Sequence, residues 1–110
     1  MANLKTLQFK AHLLAREKGW WDVPRSFGDL IALCHSELSE ALEEYRHGNA
    51  PEKVYYDDDG KPMGVASELA DVVIRIMDIA EYYRIDLQSA IEEKHNFNKG
   101  RKHRHEGKVL

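Results

Sequence analysis

Two pairs of carboxylates carry the chemical interest of this chain: Glu37 and Glu40 within HSELSEALEEYR, and Glu68 and Asp71 within ELADVVIRIMD. Each pair is spaced three residues apart, so on a helix each pair shares one face. Glu37 and Glu68 fall about 80° from the centre of the apolar stripes of their helices, at the margin between core and solvent. Two antiparallel helices can bring such margins together. Carboxylates about 6 Å apart repel by roughly 3 kcal/mol at an effective dielectric near 20. The four acids therefore either splay into water or are held by a cation. Oxygen-only ligands favour a hard ion, Mg²⁺, Mn²⁺ or Ca²⁺, over zinc or copper. Glu44 and Asp78 extend the two acidic rows, and the run Asp57-Asp58-Asp59 reads as a solvated loop tip.

A second set is basic. Lys94, Asn98 and Arg101 follow at i, i+4 and i+7, on one face running off the end of a helix, and Arg104, His105 and Lys108 come after. Arginine offers a bidentate fork to a phosphate and lysine a mobile point charge. The same cations also suit the negative end of a helix dipole, which accounts for Lys94 and Lys99 but not for the residues beyond Gly100. Glu92 and His95 form a single E-x-x-H pair, whereas a di-iron bundle needs two. Trp20, Trp21 and Phe27 surround one turn, where an aromatic face can stack a base or plug a junction.

Four helices are expected to position these groups. Asn3 caps the first, which Gly19 stops; Ser26 caps the second, which ends at Gly48. Residues 49 to 64 hold Pro51, Pro62, two glycines and the acidic run, and read as a long loop. A third helix is expected from about Val65 to Arg84, and a fourth, capped by Asp86, to Gly100. No alternating strand pattern is evident, so the fold class is all-α.

The 110 residues suffice for one domain, 1–110, with a basic tail over about 100–110. The net charge of −3 hides an asymmetry. Up to Glu93 there are 10 Lys/Arg against 18 Asp/Glu, and from Lys94 onward 6 against 1. Such an end can serve as a nucleic-acid arm, or bind phosphate beside an acidic metal centre. Cys34 is the lone cysteine, which excludes an intrachain disulfide and a thiolate zinc site. Aliphatic runs are far shorter than the roughly 20 residues of a membrane helix, and no leader pattern is seen. A cytoplasmic protein without membrane partners is expected. The apolar supply is thin for a chain this short, and a second subunit would complete it.

Taken in order, HSELSEALEEYR, ELADVVIRIMD and KHNFNKGRKHRHEGK resemble the MazG-like nucleoside triphosphate pyrophosphohydrolases of the all-α NTP pyrophosphatase superfamily, over about residues 20 to 108. The resemblance implies a four-helix MazG-like bundle that assembles as a homodimer or homotetramer. It implies Mg²⁺, with Mn²⁺ as a substitute, on Glu37, Glu40, Glu68 and Asp71, and phosphate contacts from Lys94, Asn98 and Arg101, with Arg104 a further candidate. Glu40 is the candidate for orienting the attacking water, and Trp20, Trp21 and Phe27 for the base pocket. The chain departs from many members at Ser36, where they carry a further Glu, and at Lys102, where they carry Pro. The implied activity is Mg²⁺-dependent cleavage of (d)NTPs to (d)NMP and pyrophosphate, a house-cleaning of the nucleotide pool. Phosphoribosyl-ATP pyrophosphatase is the alternative within the superfamily, and a non-catalytic helical module for nucleic acid or dimerisation the alternative outside it. The nucleoside triphosphate and a second copy are the expected partners, and nucleic acid is not.

Overall fold

A computed structural model describes residues 3–101. In chain order these form α1 (Leu4–Glu17), a short 3-10 turn (Trp20–Asp22), α2 (Phe27–Arg46), β1 (Tyr55–Tyr56), β2 (Pro62–Met63), α3 (Val65–Tyr82) and α4 (Leu87–Lys99). The three anticipated caps are formed: Asn3, Ser26 and Asp86 each accept a bond from the amide three residues on, at 2.9, 3.0 and 3.1 Å. Gly19 ends α1 with φ of 86°.

The segment expected to be loop throughout contains a small antiparallel hairpin, with Tyr55 opposite Met63 and Tyr56 opposite Pro62. Its turn is closed by Asp57, whose Oδ1 accepts from the amides of Asp59 and Lys61, both at 2.9 Å. Two-residue strands are too short to leave an alternation in the sequence. At its exit, Gly64 has φ of 116°, and a Cβ there would stand 2.5 Å from the carbonyl oxygen of Lys53. Only glycine fits that crossing.

The architecture is mainly helical, but among the described residues the four helices do not close into a bundle. α3 is central, with α1 on one flank and α2 on the other, while α4 meets the rest chiefly through α1. The radius of gyration, 16.6 Å, exceeds the roughly 13 Å of a compact chain of about 100 residues. Gln8 fastens α1 to the end of α3: its side-chain amide donates to Glu81 at 3.1 Å and to the Ile85 carbonyl at 3.0 Å.

The buried apolar set is small: Leu30, Ala41, Val65, Met77, Ile79 and Ala80. The residues of α2 most withdrawn from water are Leu30, Leu33, Cys34, Glu37, Ala41 and Glu44; on α3 they include Val65, Glu68, Val72 and Arg75. Glu37 and Glu68 are half-buried along the seam between α2 and α3, between core and solvent as their offset from the apolar stripes predicts. The apolar stripe is rotated outward, and Leu38, Leu42, Leu69, Val73 and Ile74 are each 46 to 55 % exposed. A sheet of helices with an open apolar side is short of a covering layer. No helix among the described residues is long and apolar enough to cross a membrane.

Candidate metal centre

Because α2 and α3 run antiparallel, the first turns of α3 lie against the middle of α2. One carboxylate oxygen each of Glu37, Glu68 and Asp71 falls within 4.8 Å of the others. Glu37 and Glu68 are half-buried and Asp71 is exposed. Three carboxylates at that spacing form an all-oxygen donor set of the kind that suits Mg²⁺ or Mn²⁺. Glu40 does not join this trio; it stands on the exposed side of α2. Its charge still reaches the centre. Glu68 is pushed above the ordinary carboxylate range first by burial, then by Asp71, Glu40, Glu37 and Glu44 in turn.

Two neighbours restrain the centre. The Tyr55 hydroxyl from the hairpin donates to Glu44, 2.8 Å from Oε2, and Asn49 donates to the same carboxylate at 3.2 Å. That bond holds the Tyr55 proton and raises its pKa. On the other side the Arg75 guanidinium approaches Glu37 at 3.7 Å. Arg75 follows Asp71 by four residues, one turn along the same face of α3. Burial pushes the Cys34 thiol up; Arg75 offsets part of this and Glu37 adds to it.

Asp78 does not continue the acidic row. It turns toward α1, is 1 % exposed, and its Oδ1 accepts from the Trp21 indole at 2.9 Å and meets His12 Nδ1 at 2.8 Å. Trp21 stacks on Tyr82 with centroids 3.9 Å apart and planes 5° apart. Asp78 is therefore a junction of α1, the 3-10 turn and α3. A helix of 3.6 residues per turn carries a residue seven positions past Asp71 back near the same face, but two turns further along α3 that face is covered by His12 of α1 and by Trp21.

The aromatic candidates have separate surroundings. Trp20 lies between Arg25 and Arg75, each guanidinium carbon 3.7 Å from the ring centroid. Two such groups cannot share one face at that distance, so both faces of Trp20 are covered. Trp21 is stacked as described, and Phe27 meets Tyr83 edge-on at 5.2 Å. The basic candidates stand apart from the acids. Lys94, Asn98 and Arg101 are exposed, and Lys94 and Arg101 gather over Phe97 at 5.9 and 5.5 Å. Among the described residues none of the three pairs with a carboxylate of the centre. Arg104 lies outside the described residues. His12 and Arg75 carry no motif of their own, which is why the sequence did not single them out.

Comparison of the chain with protein families, with curated proteins and with solved structures finds no match.

Proposed function

We propose that the protein is a Mg²⁺-dependent nucleotide pyrophosphohydrolase of the MazG-like kind, cleaving (d)NTPs to (d)NMP and pyrophosphate. The observation that carries this reading is the convergence of Glu37, Glu68 and Asp71 within 4.8 Å on the seam of two helices. Among the described residues no other acids gather in this way, and Asp78 instead turns its Oδ1 to Trp21 and His12. Three carboxylates held together against repulsion, in a fold with little stability to spare, support a cation site.

Glu37, Glu68 and Asp71 would hold Mg²⁺, which neutralises phosphate charge and polarises phosphorus when bound. A triphosphate brings about four negative charges, which this acidic seam repels unless cations intervene. Glu40 stands beside the trio with an exposed carboxylate free to orient a water. Attack of that water at the α-phosphorus breaks the bond to the bridging oxygen and releases pyrophosphate. Lys94, Asn98 and Arg101 serve the phosphates from a neighbouring subunit in this reading, since α4 stands away from the acids of its own chain. The open apolar side of α2 and α3 supports such a homo-oligomer.

The test is incubation of pure protein with a panel of NTPs, dNTPs and phosphoribosyl-ATP plus Mg²⁺, with products resolved by ion exchange. Monophosphate with pyrophosphate from a (d)NTP supports the reading. Turnover of phosphoribosyl-ATP alone moves the protein to the sister activity. No turnover, with salt-dependent binding of nucleic acid, replaces the enzyme by a binding module.

A further inference from the structure

We infer that Arg75 is a phosphate-anchoring residue of the candidate metal centre, supplied by the same subunit that supplies the carboxylates. The inference rests on the reading above and deepens it. The cations that the sequence offers for phosphate lie on α4, away from the acids, so the centre lacks a cationic partner on that side. Arg75 supplies one. Among the described residues it makes the one ion pair to Glu37, Glu40, Glu68 or Asp71, at 3.7 Å from Glu37.

Its surroundings are those of a prepared group. Trp20 covers one side of the guanidinium at 3.7 Å, and Arg25 on the far face of the indole fixes the indole in turn. Arg25 itself is tethered, its Nε donating to the Trp20 carbonyl at 3.2 Å. A guanidinium stacked this way loses less entropy on binding than a free side chain. The hydrogen bonds of its terminal nitrogens are not spent: their contacts to Glu37 and Asp78, at 3.7 and 4.0 Å, exceed hydrogen-bond length. A donor group fixed beside carboxylates yet bonded to none of them suits an incoming oxyanion better than an internal ion pair.

The space is also present. A groove of about 510 Å³ between α1 and α3 has a mainly apolar lining, with Arg75, Glu37, Asp71 and Asp78 as its charged residues from α2 and α3 and Lys10 and Lys18 from α1. A phosphate group at the mouth of this groove, beside Glu37 and Asp71, would find Arg75, Lys10 and Lys18 as its cationic partners. The ligand class is therefore a pyrophosphate or polyphosphate ester bound together with a hard cation.

The experiment is calorimetric titration of the full chain with Mg²⁺ alone, and then with inorganic pyrophosphate at saturating Mg²⁺. Wild type, Arg75→Gln and Arg75→Lys are compared, each checked for helicity by circular dichroism. Arg75→Gln should weaken pyrophosphate at least tenfold, the scale of a lost charge-assisted bond, while binding Mg²⁺ as tightly as wild type or tighter. Arg75→Lys, which keeps the charge and loses the fork, should fall between; it carries the test alone should the glutamine variant not fold. Pyrophosphate affinity within twofold of wild type in the variants overturns the inference. Parallel loss of Mg²⁺ and pyrophosphate also overturns it, since Arg75 would then act only by holding Glu37. Wild type that binds no Mg²⁺ overturns the proposed function, and this inference with it.

Discussion

Removing one charge from the acidic seam should make the metal-free protein more stable. Glu68 is the residue to change, because it faces Glu37 and Asp71 within 4.8 Å and carries the raised pKa of the group. At that distance a pair of unit charges repels by about 0.9 kcal/mol in water and about 3.5 kcal/mol at a dielectric near 20. Asp71 is exposed and Glu37 half-buried, which draws the true value toward the lower figure. Glu68→Gln removes two such pairs, so about 1 to 2 kcal/mol should be gained. For a domain near 100 residues, 1 kcal/mol shifts the melting temperature by about 4–8 °C. Thermal melts in EDTA at neutral pH and low salt should therefore place Glu68→Gln several degrees above wild type. Mg²⁺ should reverse the order. A cation at a hundredfold excess over its dissociation constant stabilises wild type by about 2.7 kcal/mol, and the variant, short of one ligand, by much less. A variant that melts lower in EDTA, or that gains as much from Mg²⁺ as wild type, refutes the reasoning.

The raised Glu68 pKa gives a pH dependence of definite sign. The folded state holds that proton more tightly than the unfolded chain, so metal-free stability should fall as pH rises from the ordinary value of 4.5 through the raised one. Urea melts across that interval should slope downward for wild type and less so for Glu68→Gln. Asp78→Ala strips the acceptor from Trp21 and His12 in a buried place, and should cost about 3 kcal/mol or more by urea denaturation. Gly64→Ala forces a Cβ against the Lys53 carbonyl at positive φ, and should destabilise by about 1–3 kcal/mol in the same assay. Tyr55→Phe frees Glu44 from the hairpin, and faster amide exchange over residues 53–64 should report it while α1 is unchanged.

Helix number, starts and stops were legible because each has a local cause: Asn3, Ser26 and Asp86 bond to amides three residues away, and Gly19 supplies a left-handed stop. Of the four acids expected to converge, Glu37, Glu68 and Asp71 come together and Glu40 does not; i,i+3 spacing on two adjacent helices made the meeting legible but not its membership. What escaped were features set by rotation and by distant partners. The apolar stripe of α2 appeared to mark its inward face, yet Glu37 is withdrawn from water while Leu38 and Leu42 are exposed. Periodicity reports which residues avoid water, and cannot tell a neighbour within the chain from some other covering surface. Asp78 looked like an extension of the Glu68 and Asp71 row because its partners, His12 and Trp21, lie 66 and 57 residues away. The hairpin at Tyr55 and Met63 is too brief to leave a period. α4 was read as part of a closed bundle, and its position was beyond reach because nothing in its own sequence names α1 as the surface it meets.

The two adjacent indoles give the molecule two optical probes in different electrical settings. Trp20 is clasped by a pair of positive charges, one of them the group assigned to phosphate, while Trp21 shares its ring face with a phenol and its N–H with a carboxylate. Emission wavelength and intensity depend on such fields, so single Trp→Phe replacements should separate the two signals. The Trp20 signal would follow any displacement of Arg75 as ligands arrive, and the Trp21 signal the integrity of the joint between the first and third helices. Occupancy and folding could thus be watched separately in one cuvette, without a label.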